Sequence, residues 1–92
     1  MIVRIASEGQ YRLADDAVDR LNAFDNDAVA AVEAGDEARF AELFGKMIAL
    51  IRDEGTPLPA DELHGSDVIV PPVDTSFDEA KHDFNGDGLI PG

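Results

Sequence analysis

Residues 15–55 read DDAVDRLNAFDNDAVAAVEAGDEARFAELFGKMIALIRDEG and carry two runs of apolar side chains at helical spacing. In the first run Ala17, Val18, Leu21, Phe24, Ala28, Val29 and Val32 recur in steps that line one face of a 3.6-residue period. Asp15 suits the N-cap, and Asp16 and Asp19 put negative charge where the helix dipole favours it. Gly35 follows the last periodic residue and suits a left-handed C-terminal cap. Asp36 then caps a second run, Phe40, Leu43, Phe44, Met47, Leu50 and Ile51, which Gly55 ends and Pro57 keeps from resuming. So short a connection makes the two helices antiparallel neighbours. Asp25, Asn26 and Asp27 are poor helix formers in a row and the one place where the first helix is expected to be weak.

Working outward, residues 2–6 and 10–13 read as a β-hairpin, with Ser7, Glu8 and Gly9 as a three-residue loop. Pairing Ala6 with Gln10 sets Ile5 against Tyr11, Arg4 against Arg12 and Val3 against Leu13. Val3, Ile5, Tyr11 and Leu13 then share the face that the helices cover. Arg4 and Arg12 emerge together on the other face, an unfavourable opposition unless carboxylates lie close by. Those carboxylates come either from this chain or from a partner, and on the second reading Arg4, Gln10 and Arg12 form a partner-binding spot. Beyond the helices, Pro57 and Pro59 hold a loop extended through Gly65, and Asp67 to Val70 is a candidate third strand closed by Pro71 and Pro72. Ser76 and Glu79 have the spacing of a capping box and open a short helix over 76–82. Leu89 and Ile90 are expected to tuck the tail onto the core.

The pattern predicts one α+β domain over 1–92. A short antiparallel sheet (2–6, 10–13 and 67–70) packs on an antiparallel helical hairpin (15–34 and 36–54). The hairpin occupies 1–13, the helices 15–54, and the C-terminal strand, short helix and closing segment 55–92. Ile48, Ala49 and Val18 widen the apolar stripes beyond one seam. Wide stripes mean burial within the domain, or a flank left for a second copy or a coiled-coil partner.

Composition narrows the function classes. Twenty acidic residues against seven basic ones give a net charge of −13, which disfavours direct contact with nucleic acid or an anionic lipid surface. With Asp predominant and Lys46 and Lys81 the only lysines, the charge suits a protein that works in concentrated salt. There is no cysteine, hence no disulfide and no thiolate metal site. The N-terminus lacks a basic region and a long apolar run, so no signal peptide is expected, and no run approaches a membrane span. These features predict a cytoplasmic protein.

Chemistry is sparse. Asp83, Asn85 and Asp87 stand at positions 1, 3 and 5 of a calcium-loop pattern, with Gly88 at position 6 and Ile90 at position 8. Such a loop needs a bidentate acid at position 12, whereas the pattern here runs to Gly92 at position 10, with Pro91 at position 9. The pattern therefore reads as a turn before the closing segment, with a calcium-responsive module as the alternative. His64 and His82 have no metal-ligand spacing, and no nucleophile, carboxylate pair or phosphate loop stands out. No catalytic residue and no cofactor is expected.

The run Met1 to Leu13 also resembles the opening of the PspA-associated proteins, PspAA, a family of archaea and actinobacteria. The likeness continues through Leu21-Asn22, Ala30 to Asp36, Gly55 to Pro59, Ser66 to Pro72 and Gly88 to Gly92. It implies a companion of PspA, the coiled-coil membrane-remodelling protein of the phage-shock envelope-stress response, and the net charge argues that any membrane effect is relayed through that partner. The resemblance brings no catalytic residues with it.

Overall fold

The computed structural model describes residues 1–6, 8–59, 65–82 and Phe84. Strand β1 (Ile2–Ile5) and β2 (Gly9–Arg12) form the hairpin, and α1 (Asp15–Ala34) and α2 (Glu37–Glu54) pack against each other. After them come β3 (Thr56–Pro57), β4 (Val68–Val70) and α3 (Phe77–Ala80). The sheet runs β3-β2-β1-β4. The α+β class is as the patterning predicts, with one helical layer on one face of a sheet.

The helix seam follows the apolar period. Leu21 on α1 and Met47 and Ile51 on α2 are fully buried, with Ala17, Ala28, Leu43, Phe44 and Ile48 around them. Gly35 adopts the left-handed conformation, φ 71°, and its N–H reaches the carbonyls of Ala31 and Val32. Asp36 accepts a hydrogen bond from the Arg39 N–H at 3.1 Å, capping α2. The N-cap of α1 is Ala14 rather than Asp15, without a side-chain hydrogen bond; Asp15 and Asp16 both lie in the first turn, where the dipole still favours them. The helix runs unbroken through Asp25, Asn26 and Asp27. Poor propensity costs tenths of a kcal/mol per residue, about 0.7 at most. Burial of Leu21 on one side and Ala28 and Val29 on the other outweighs it.

Two features of the sheet differ from expectation. The hairpin register is Ile2↔Arg12, Val3↔Tyr11, Arg4↔Gln10 and Ile5↔Gly9, two residues from the one deduced by alternation. The Glu8 N–H closes the turn onto the Ile5 carbonyl, and Gly9, at φ 146°, already belongs to β2. A two-residue shift preserves which side chains share a face. Val3, Ile5 and Leu13 are accordingly buried under the helices as expected, but Arg4 no longer opposes Arg12.

The sheet is also mixed rather than antiparallel. Strand β4 pairs in parallel with β1, Val3↔Val68 and Ile5↔Val70, because the chain returns to it through the helical layer. Thr56 and Pro57 add the outer strand on the other side, a position where proline is tolerated. Ser76 and Glu79 form both halves of the capping box, and α3 ends at Ala80 rather than near His82.

Gly55 shows why helix α2 stops where it does. A Cβ there would lie 2.4 Å from the Ile51 carbonyl oxygen and 2.8 Å from the Tyr11 Cβ. Gly55→Ala should therefore destabilise by about 1–3 kcal/mol, since backbone and ring both have to move. Gly45, inside α2, meets nothing within 4 Å, and Gly45→Ala should stabilise by up to about 1 kcal/mol. Urea melts of the two variants should move in opposite directions.

Candidate interaction face

The alternation that buries Val3, Ile5, Val68 and Val70 sends Ile2, Arg4, Gln10, Arg12 and Ile69 to the outer face of the sheet. Ile69, Arg4 and Gln10 form one row across β4, β1 and β2. Ile2, Arg12 and Thr56 form the next across β1, β2 and β3. Arg4 and Arg12 are exposed, and Ile69 is 61% exposed. Gln10 is fixed by a 2.7 Å hydrogen bond from its Nε2 to the Ser66 hydroxyl. The Asp67 carboxylate, at the margin, accepts from the Ile2 N–H at 2.8 Å.

Charge pairing singles this face out. Arg20 pairs with Glu54 and Asp16, Arg39 and Lys46 with Glu42, Arg52 with Glu8, and Lys81 with Asp78. Among the described residues, Arg4 and Arg12 have no carboxylate partner, on a chain with 20 acids. Own-chain neutralisation, one of the two alternatives, is therefore not what the described residues do. The three residues singled out from the hairpin thus come together, Arg4 directly opposite Gln10 and Arg12 on the diagonal.

Ile69 was missed. Its signal was available in Val68-Ile69-Val70, where burying both valines obliges the middle residue to face away. Beside it, Pro71, Pro72, Thr75, Glu79 and His82 complete a shallow hollow.

The hairpin is clamped to α2 behind this face. Glu8 accepts from Arg52 Nε at 3.0 Å and from the Tyr11 hydroxyl at 3.1 Å. The Arg52 hydrogen bond holds the Glu8 carboxyl below its usual range, and burial followed by the Glu8 carboxylate pushes the Tyr11 hydroxyl up. Because the folded pKa of Glu8 lies below its unfolded value, the clamp contributes fully above the ordinary carboxyl range. Its contribution is lost as pH falls through the folded value. Glu8→Gln should lower the midpoint slightly at neutral pH and remove this part of the acid dependence, as read by melts across about pH 3–7.

Elsewhere the chemistry is thin. Phe24, Ala49 and Leu50 line a groove between α1 and α2, bordered by Arg20, Lys46 and Glu54. Ile48 is buried in the seam rather than on that flank. Among the described residues, no group of three or more His, Asp or Glu side chains could hold a metal. Asp83, Asn85 and Asp87 of the calcium pattern, His64, Leu89 and Ile90 lie outside the described residues. No described helix is long and apolar enough to cross a membrane.

A family model described as PspA-associated protein, PspAA, matches residues 1–92. The chain belongs to the PspA-associated protein family. Neither a curated protein nor a solved structure matches it. For this PspAA chain, then, the family's own description points to a PspA-linked role, and the structure supplies an exposed, partly apolar sheet face carrying two guanidinium groups that have no carboxylate partner among the described residues.

Proposed function

We propose that this PspAA chain is a non-enzymatic adaptor that binds a PspA-type coiled-coil protein and regulates its membrane activity in the envelope-stress response. The observation that carries the reading is the family match over the whole chain. The charge of −13 supports an indirect route to the membrane, since an anionic lipid surface repels it and the partner has to supply the contact. On this reading the protein is cytoplasmic, peripheral to the membrane only when PspA-bound, and adapted to concentrated salt. Cosedimentation with purified PspA assemblies, across KCl from dilute to molar, tests it. Saturable recovery in the pellet is expected at one or more salt concentrations; failure to cosediment at every one of them refutes the adaptor role. A companion measurement with anionic vesicles should find the protein on lipid only when PspA is present.

A further inference from the structure

We infer that the outer face of the sheet is where the partner docks, and that its occupant is an acidic amphipathic helix of the coiled-coil protein. The inference rests on the adaptor reading and gives it a surface. Three observations select the face and the occupant together.

The first is charge. Every other Lys and Arg side chain already has a carboxylate, while among the described residues Arg4 and Arg12 stand exposed without one. Two guanidinium groups that no described carboxylate engages, on so acidic a chain, offer bidentate sites to carboxylates brought from outside. The second is spacing. Arg4 faces Gln10, so Arg12 is its diagonal neighbour, about 7–8 Å away. Acidic residues one turn apart on a helix have Cβ atoms about 5–6 Å apart, a gap that flexible arginine side chains span. The third is apolar surface. Ile69, next to Arg4 in the same row, is one of two exposed large hydrophobic side chains among the described residues. Pro72, partly exposed, extends it. A helix lying across the strands would seat two carboxylates on the arginines and an apolar side chain against Ile69, the usual plan of an amphipathic helix on a complementary surface. The groove at Phe24 and Leu50 lacks the charge argument, because its cations are already paired.

The test compares full-length variants for binding to purified PspA by calorimetry. The double variant Arg4→Glu/Arg12→Glu and the single variant Ile69→Ser should each bind at least about tenfold more weakly than the parent. Arg39→Glu/Lys46→Glu alters net charge equally but lies on α2, and should change affinity by less than about threefold. Neutral Arg4→Ser/Arg12→Ser should show a smaller loss in the same direction, and it decides the matter if the reversed pair fails to fold by circular dichroism. Parental affinity in the face variants, or equal losses in the face and α2 variants, overturns the docking surface while leaving the adaptor reading in place. A parent that does not bind PspA removes both. Sedimentation equilibrium covers the other occupant: a parental dimer that Arg4→Glu/Arg12→Glu dissociates, with PspA binding intact, assigns the face to a second copy and overturns the inference.

Discussion

Phe40→Ala should remove about 3–5 kcal/mol of stability, the range for emptying a buried aromatic site. Phe40 is 3% exposed and stands at the centre of a four-ring cluster. It stacks on Phe44 at 5.6 Å and meets Phe77 at 5.7 Å and Phe84 at 5.0 Å, both edge-on. These contacts join three parts of the chain, because Phe44 shares α2, Phe77 opens α3 and Phe84 follows it. Losing the ring costs its own burial and the favourable geometry of up to three aromatic pairs, about 0.5–1.5 kcal/mol each. The neighbours cannot easily collapse into the space, since Phe44 and Phe84 are already held against each other at 5.8 Å. A domain of this size has about 5–14 kcal/mol in total, so the variant should sit close to unfolding at 37 °C. Denaturant melts check it. Phe40→Leu, which keeps most of the volume, should cost less than half as much, and equal losses in the two variants would show that the cluster is not packed as described.

Salt should act in the opposite direction, with roughly half the effect. Two unit charges about 10 Å apart in water repel by roughly 0.4 kcal/mol before screening. With 20 acids and 7 bases, like-charge pairs outnumber opposite-charge pairs by about three to two. The ion pairs that do form are exposed and are worth little singly. Between about 0.1 and 1 M salt the Debye length falls from about 10 to 3 Å, which removes most of the repulsion. Raising KCl from about 0.1 M to about 2 M should therefore raise the thermal midpoint by about 10 °C, equivalent to about 2 kcal/mol for a domain of this length. Potassium chloride is the salt of choice because sulfate would also strengthen apolar burial by exclusion. A midpoint that stays level or falls would mean that the exposed ion pairs outweigh the net repulsion, and would remove the case for adaptation to concentrated salt.

How much of this was legible beforehand depends on the kind of signal. The two long helices were, because Leu21, Ala28, Met47 and Ile51 repeat at a period that only a helix puts on one side. Their junction was too, since Gly35 and Asp36 are residues whose backbone and side-chain chemistry suits those caps. The Ser76 and Glu79 capping box is another local pattern with one reading. The hairpin register was not. Alternation fixes only the parity of pairing, so Val3, Ile5 and Leu13 were rightly placed inside while the neighbours of Arg4 and Arg12 were wrong by two positions. The direction of β4 was likewise hidden, because it depends on the path through the helical layer rather than on Val68 to Val70 themselves. Pro57 reads as a helix breaker within a loop, and only pairing with Tyr11 and Arg12 makes a strand of Thr56 and Pro57. For the candidate face, the arginines were visible from the hairpin alone. Ile69 needed β4 in place beside β1, and the lack of carboxylate partners among the described residues needed the positions of their acids.

The most direct test of the whole account is a titration of the isotope-labelled protein with PspA, followed residue by residue by nuclear magnetic resonance. Arg4, Gln10, Arg12 and Ile69 should shift or broaden first, with the buried seam at Leu21 and Met47 unaffected until saturation. Changes centred on Phe24 and Leu50 instead, or a spectrum that PspA leaves untouched, would contradict it.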